Sequence, residues 1–254
     1  MAKMSGRTLV VLQARMSSSR LPGKVMMEIN GKPMIYWQIQ RILSSKCVNS
    51  LVVATSIDPS DDPLVSFLEE NLISVYRGSL DNVLSRYIEV SEMYPHDALI
   101  RLTGDCPLVM PKLIDQMVGA FYEQDVDYLS NTLEPTFPDG LDIEIIKQGT
   151  LKCLTAFNLE PKELEHVTYG IYTRPEIFKL SNFLNKSNHS QERWTVDYQA
   201  DLDFVRLIFH QFLGQESKFT YYELNEFLSG NPELQVQNCE HKRNEKLENG
   251  NNRA

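Results

Sequence analysis

With 254 residues, 42% of them hydrophobic, the chain is long enough to bury one large core and fits a single α/β domain. Its formal net charge of −9 argues against bulk binding to nucleic acid, which needs basic surface to displace counterions from phosphates. No run approaches the roughly eighteen apolar residues of a membrane span, and the first residues lack the apolar segment of a secretory leader, so a cytoplasmic location is expected. Cys47, Cys106, Cys153 and Cys239 are scattered without a CxxC pair, which predicts neither a zinc site nor a disulfide framework.

In chain order, the apolar run Thr8–Leu12 predicts a buried first strand, and Pro33–Leu43 an amphipathic helix opening on a proline. Leu51–Ala54 reads as a second strand, followed by the turn-forming cluster Asp58–Pro63 and a helix to about Asn71. Ile73–Tyr76 and Ala98–Leu102 read as strands, Leu80–Met93 and Pro111–Glu123 as helices. This alternation predicts a Rossmann-like α/β fold: a mostly parallel twisted sheet with helices on both faces and ligands beyond the C-terminal strand ends. From Val126 to about Phe183, short alternating runs such as Leu141–Ile146 and Gly170–Tyr172 are separated by Pro, Gly and Asn, which predicts a smaller, partly antiparallel insertion. Val196–Leu213 returns to a helical period, and Tyr221–Leu228 is a last short helix. Residues 1–234 are thus expected to form one domain, and the polar stretch 235–254 a disordered tail.

The segment LQARMSSSRLPGK, residues 12–24, stands out chemically. Arg15, Arg20 and Lys24 lie among three serines and a Pro-Gly pair, and no acidic residue precedes Glu28. A cationic loop at the end of a first strand calls for an anion, best a polyphosphate that small residues let the backbone approach. Ser17, Ser18 and Ser19 could donate to the same oxygens, or simply make the loop flexible. Asp105, after the fourth strand, reads either as a turn aspartate or as a carboxylate holding Mg²⁺ against phosphates. Topology brings the ends of both strands together.

These residues resemble a known family. QARMSSSRLPGKVMMEINGKPMI is similar to the opening of the sugar-acid cytidylyltransferases, which include the CMP-Kdo and CMP-sialic acid synthetases. RLTGDCPLV resembles their Gly-Asp-x-Pro element and WTVDYQADLDFV their late Val-Asp element. Together with PDGLDIEI and EHVTYGIY, the pattern most resembles the SpsF branch, named for spore-coat polysaccharide biosynthesis, over roughly residues 7–230.

The resemblance implies a nucleotide-diphospho-sugar transferase fold that transfers CMP from CTP to the anomeric hydroxyl of a sugar acid and releases pyrophosphate. It implies Arg15 and Lys24 on the triphosphate, Arg20 beside them, and Mg²⁺ on Asp105 and Asp197, with Lys24, Arg15 and Asp105 carrying catalysis. Thr103 stands where some relatives have a second acidic residue or a glutamine, so one metal ion is better supported than two. Ser79, read as an N-cap, and Asn82, in the first turn of the next helix, are expected near the base and ribose. Arg101 is expected to hold substrate or pair with a carboxylate. Asp142 and Glu144 alternate with apolar neighbours, as on a solvated edge strand, and by resemblance would read sugar hydroxyls, as would His166, Thr168 and Tyr172. Charge alone suggests Arg193 for the sugar carboxylate. Asp201 and Asp203 suit the first turn of the following helix. A homodimer through the smaller layer is expected. The rival readings are a glycosyltransferase of similar fold, for which the Asp-x-Asp is missing around Asp105, and a non-catalytic nucleotide-binding partner.

Overall fold

The computed structural model describes residues 6–236. Strand β1 (Thr8–Gln13) is an unbroken apolar run because it is covered on both faces: Leu9 and Val11 face one hydrophobic cluster, Val10 and Leu12 the other. A small ribbon follows, β2 (Glu28–Ile29) and β3 (Lys32–Pro33), then helix α1 (Met34–Leu43). The ribbon was not anticipated, although its Asn30-Gly31 turn, with φ of 46° and 75°, is the pair a two-residue hairpin prefers. Next come β4 (Ser50–Ser56), α2 (Asp62–Glu70) and β5 (Ser74–Gly78). Helix α3 (Val83–Met93), β6 (Ala98–Thr103) and α4 (Pro111–Gln124) complete the first half. The inserted layer contains β7 (Tyr128–Ser130), β8 (Glu144–Lys147), the short helices α5 (Thr150–Cys153), α6 (Pro161–Glu165) and α7 (Tyr169–Tyr172), and β9 (Leu180–Asn182). Helices α8 (Gln199–Gln211), α9 (Tyr221–Gly230) and α10 (Glu233–Val236) close the described chain.

Seven strands form one sheet in the order β5-β4-β1-β6-β8-β7-β9, and only β8 runs against its neighbours. The mostly parallel α/β architecture predicted from the alternation is therefore present. One face packs against α1, α4, α8 and α9, the other against α3 and the short helices of the insertion. After β1 the chain winds to one side through β4 and β5, then returns to place β6 on the other side of β1. The crevice between the ends of β1 and β6 is thus a topological switch point.

Five expectations change. Helix α3 starts at Val83, not Leu80, because Asn82 rather than Ser79 caps it, accepting from Ser85 N at 2.9 Å. Ser79 supports that cap by accepting from Asn82 N at 3.1 Å. Gly170–Tyr172 lies in a helical turn rather than an alternating run, and α8 begins at Gln199 instead of Val196. Within Leu141–Ile146 only the end is strand, since the Asn131 side chain takes Leu141 O and Ile143 N in place of a neighbouring strand. β8 is also no solvated edge: it lies between β6 and β7, and Glu144 is buried. Of the predicted tail, residues 237–254, with Cys239, lie outside the described residues.

Candidate active site

The loop after β1 is shaped by a residue the sequence did not single out. Asp61, fully buried, accepts from Met16 N at 2.6 Å, and its other oxygen takes Thr55 Oγ1 at 2.8 Å and both donors of Ser56. This pins the start of the loop to the end of β4. Farther along, Met16 O accepts from Ser18 N and from Gly23 N at 2.8 Å, with Gly23 in the left-handed region at φ 72°. Gly104 sits against Ala14: a Cβ there would approach Ala14 Cβ to 2.9 Å, while Gly104 N donates to Gln13 O at 2.7 Å. The two loops of the switch point are therefore in direct backbone contact.

Four predicted residues meet at that contact. Lys24, buried, donates its Nζ to Val196 O at 2.6 Å, to Asp197 at 3.0 Å and to Asp105 at 3.3 Å. Arg20 reaches the same Asp197 oxygen at 2.5 Å. Burial would raise the carboxyl pKa of Asp197, but Lys24 and Arg20 outweigh it and bring it to about 2. Asp105 is likewise lowered against its burial, chiefly by the Lys24 charge. Asp105 O also accepts from Val196 N at 2.8 Å, which ties the late Val-Asp segment to the loop after β6.

Arg193 differs from its charge-based expectation. Its guanidinium is engaged by Asp201 through Nε and Nη2, by Asp197 at 3.1 Å and by Asp139 at 3.0 Å, so it braces the protein's own carboxylates. Asp201 stands in the first turn of α8, as expected, and also accepts from Asp197 N at 2.8 Å. Asp203 is instead exposed, near Arg206. The Pro-Asp-Gly stretch packs on this segment, since a Cβ at Gly140, φ 110°, would fall 2.5 Å from Thr195 N.

A cavity of about 670 Å³ opens over these groups. Of the predicted residues, Arg15, Arg20, Ser79, Asn82, Arg101, Asp105, Asp142, Glu144, His166, Thr168, Tyr172, Arg193 and Asp197 border it. Ser17 and Ser18 do not border it; Ser18 Oγ turns inward to accept from Leu21 N at 3.3 Å. Lys24 does not border it either, because it lies beneath the two aspartates. Gln13, Thr132 and Glu165 border the cavity without having been predicted. Glu144 accepts from Arg101, from Tyr128 OH and from Thr168 Oγ1 at 2.5 Å. Despite its burial, this set keeps the carboxyl pKa low, while burial and the Glu144 charge push the Tyr172 hydroxyl up to about 12.

Asp105 and Asp197 share one ammonium and are held ionised, the donor chemistry a hard divalent cation prefers. No cluster of three or more His, Cys, Asp or Glu poised for a metal occurs among the described residues. The pair therefore fits a cation whose remaining ligands come from substrate phosphate and water.

The sequence pattern of the cytidylyltransferase family matches residues 9–230. The chain is 32% identical over 233 residues to the spore coat polysaccharide biosynthesis protein SpsF of Bacillus subtilis, covering 89% of this chain and 95% of that protein. A cytidylyltransferase structure from Leptospira borgpetersenii superposes with a TM-score of 0.86 at 32% identity, covering 91% of this chain and 97% of the other. The structure of CMP:2-keto-3-deoxy-manno-octonic acid synthetase complexed with CTP shares the fold, with a TM-score of 0.65 at 21% identity over 82% of this chain and all of that one. With its fold, its paired loops and these matches, the chain belongs to the cytidylyltransferase family and is a nucleotidyltransferase.

Proposed function

We propose that the protein transfers CMP from CTP to the anomeric hydroxyl of a sugar acid, Kdo-like or nonulosonic, for surface polysaccharide synthesis. The observation that carries this reading is the meeting of Lys24, Arg20, Asp105 and Asp197 at the crevice between β1 and β6, with Arg15 bordering the cavity above it. Arg15 and Arg20 receive the triphosphate. Lys24 holds the two aspartates at a fixed separation and offsets their charge. Asp105 and Asp197 would hold Mg²⁺, which when bound neutralises phosphate charge as the bond to pyrophosphate breaks. The acceptor oxygen forms its bond to the α-phosphorus as pyrophosphate leaves; the hydroxyl proton passes to solvent. Catalysis is then positioning and charge stabilisation, without a covalent intermediate.

Ser79 and Asn82 lie by the nucleoside, and Asp142, His166, Thr168 and Tyr172 by the sugar, with Arg101 and Glu144 as their frame. Residues 1–234 act as one domain in which 126–183 form the acceptor and dimerisation layer; the homodimer rests on family resemblance, and the cytoplasmic location on the sequence's scattered, unpaired cysteines. No helix among the described residues is long and apolar enough to cross a membrane. The test is pyrophosphate release from CTP, UTP, ATP and GTP against a panel of α-keto sugar acids. Release with CTP that requires a sugar acid is expected. Turnover of a nucleotide sugar with no pyrophosphate formed from CTP would establish the glycosyltransferase reading instead.

A further inference from the structure

Arg86, on α3, is completely buried, yet none of its three guanidinium nitrogens has a hydrogen-bond partner among the described residues. Its stem crosses the end of β5: a Cβ on Gly78 would meet Arg86 Cγ at 2.6 Å and Cδ at 3.3 Å. Gly78 is level with Ser56 at the end of β4, where Asp61 is bonded. Arg86 therefore lies below the anchor of the loop that carries Arg15. Burial, its largest influence, lowers its pKa; Tyr87 and Asp61 raise it, and the charge of Arg15 lowers it further.

Asp61, the carboxylate in that neighbourhood, already accepts from Met16 N, Thr55 Oγ1 and both donors of Ser56. Arg15 borders the cavity, and so does Val83, one turn before Arg86 on α3, so the Arg86 guanidinium stands behind the cavity wall. A buried cation without a hydrogen-bonded counterion is costly, and an arriving anion relieves that cost.

We propose that Arg86 is a positioning residue for the nucleotide polyphosphate. It adds a buried positive charge without a hydrogen-bonded counterion behind the cavity wall beside the loop that carries Arg15, and arriving phosphates offset that charge. This rests on the nucleotidyltransferase reading of the site. It deepens that reading by making affinity depend on phosphate number through a residue outside the cavity wall.

The test measures dissociation constants of the nucleoside mono-, di- and triphosphate by calorimetry at constant Mg²⁺, using the base that wild type turns over. Loss of the cytidine assignment therefore leaves the test of Arg86 intact. Arg86→Met is expected to weaken triphosphate about tenfold, an effect of one charge at intermediate dielectric, and monophosphate about twofold or less. Arg86→Lys, which keeps the charge, should remain near wild type. Equal weakening of mono- and triphosphate, or unchanged triphosphate affinity in Arg86→Met, would overturn the proposal. Should Arg86→Met not fold, Gly78→Ala displaces the same stem without removing the charge. A shifted triphosphate-to-monophosphate ratio there supports the role, and an unchanged ratio overturns it.

Discussion

Lys24 is the residue on which the two aspartates depend, since its one ammonium offsets both carboxylates inside a buried site. Lys24→Ala strips Asp105 of its ammonium and leaves Asp197 to Arg20 and Arg193, and Asp105→Ala removes half of the proposed cation site. Each is expected to lower pyrophosphate release at least about 100-fold with far-ultraviolet circular dichroism unchanged; full turnover by either would refute the assignment. Asp197 also makes a pH prediction. Its carboxyl falls from the usual 3.8 to about 2 on folding, so its contribution is complete above about pH 4 and is lost as pH falls toward 2. Urea unfolding at pH 6, 4 and 3 should show a steeper acid loss in wild type than in Asp197→Asn.

Among the elements, α3 shows how a cap places a functional loop. Asn82 caps the helix and borders the cavity, so its position is set by the helix it starts. Asn82→Ala should cost about 1 kcal/mol, or roughly 2–4 °C in thermal midpoint, while Asn82→Asp, which still caps, should not. Asp61 plays the matching part for the loop after β1. Its sequence context, a cluster of Asp, Pro and Ser, reads only as a turn, and nothing local shows that its carboxylate reaches Met16, 45 positions away. The Asn30-Gly31 hairpin, by contrast, has its turn written locally, because both positions take the positive φ that Asn and Gly tolerate.

Across the molecule, the site depends on segments far apart in sequence being pressed together without side chains between them. Gly140 against Thr195 is the tightest of these approaches. Gly140→Ala adds a Cβ 2.5 Å from Thr195 N at a φ of 110°, and should destabilise by about 1–3 kcal/mol while lowering nucleotide affinity through Asp197. Chemical denaturation and calorimetry with CTP check both halves of that expectation.

By itself the sequence determined the alternating strands and helices, the parallel sheet they imply, and the cationic loop with Asp105, because hydrophobic period and residue chemistry are local properties. Motif order then added Asp197. Only the tertiary structure decided who neutralises whom: Lys24 beneath the aspartates, Arg193 spent on Asp139, Asp197 and Asp201, and Glu144 buried against Arg101 instead of solvated at an edge. Those outcomes depend on which strand neighbours β6 and on how closely Gly104 and Gly140 let backbones approach. The pairings of Lys24 with Asp105 and Asp197, of Arg193 with Asp139 and of Arg101 with Glu144 span 43 to 173 residues and leave no periodic trace in the chain.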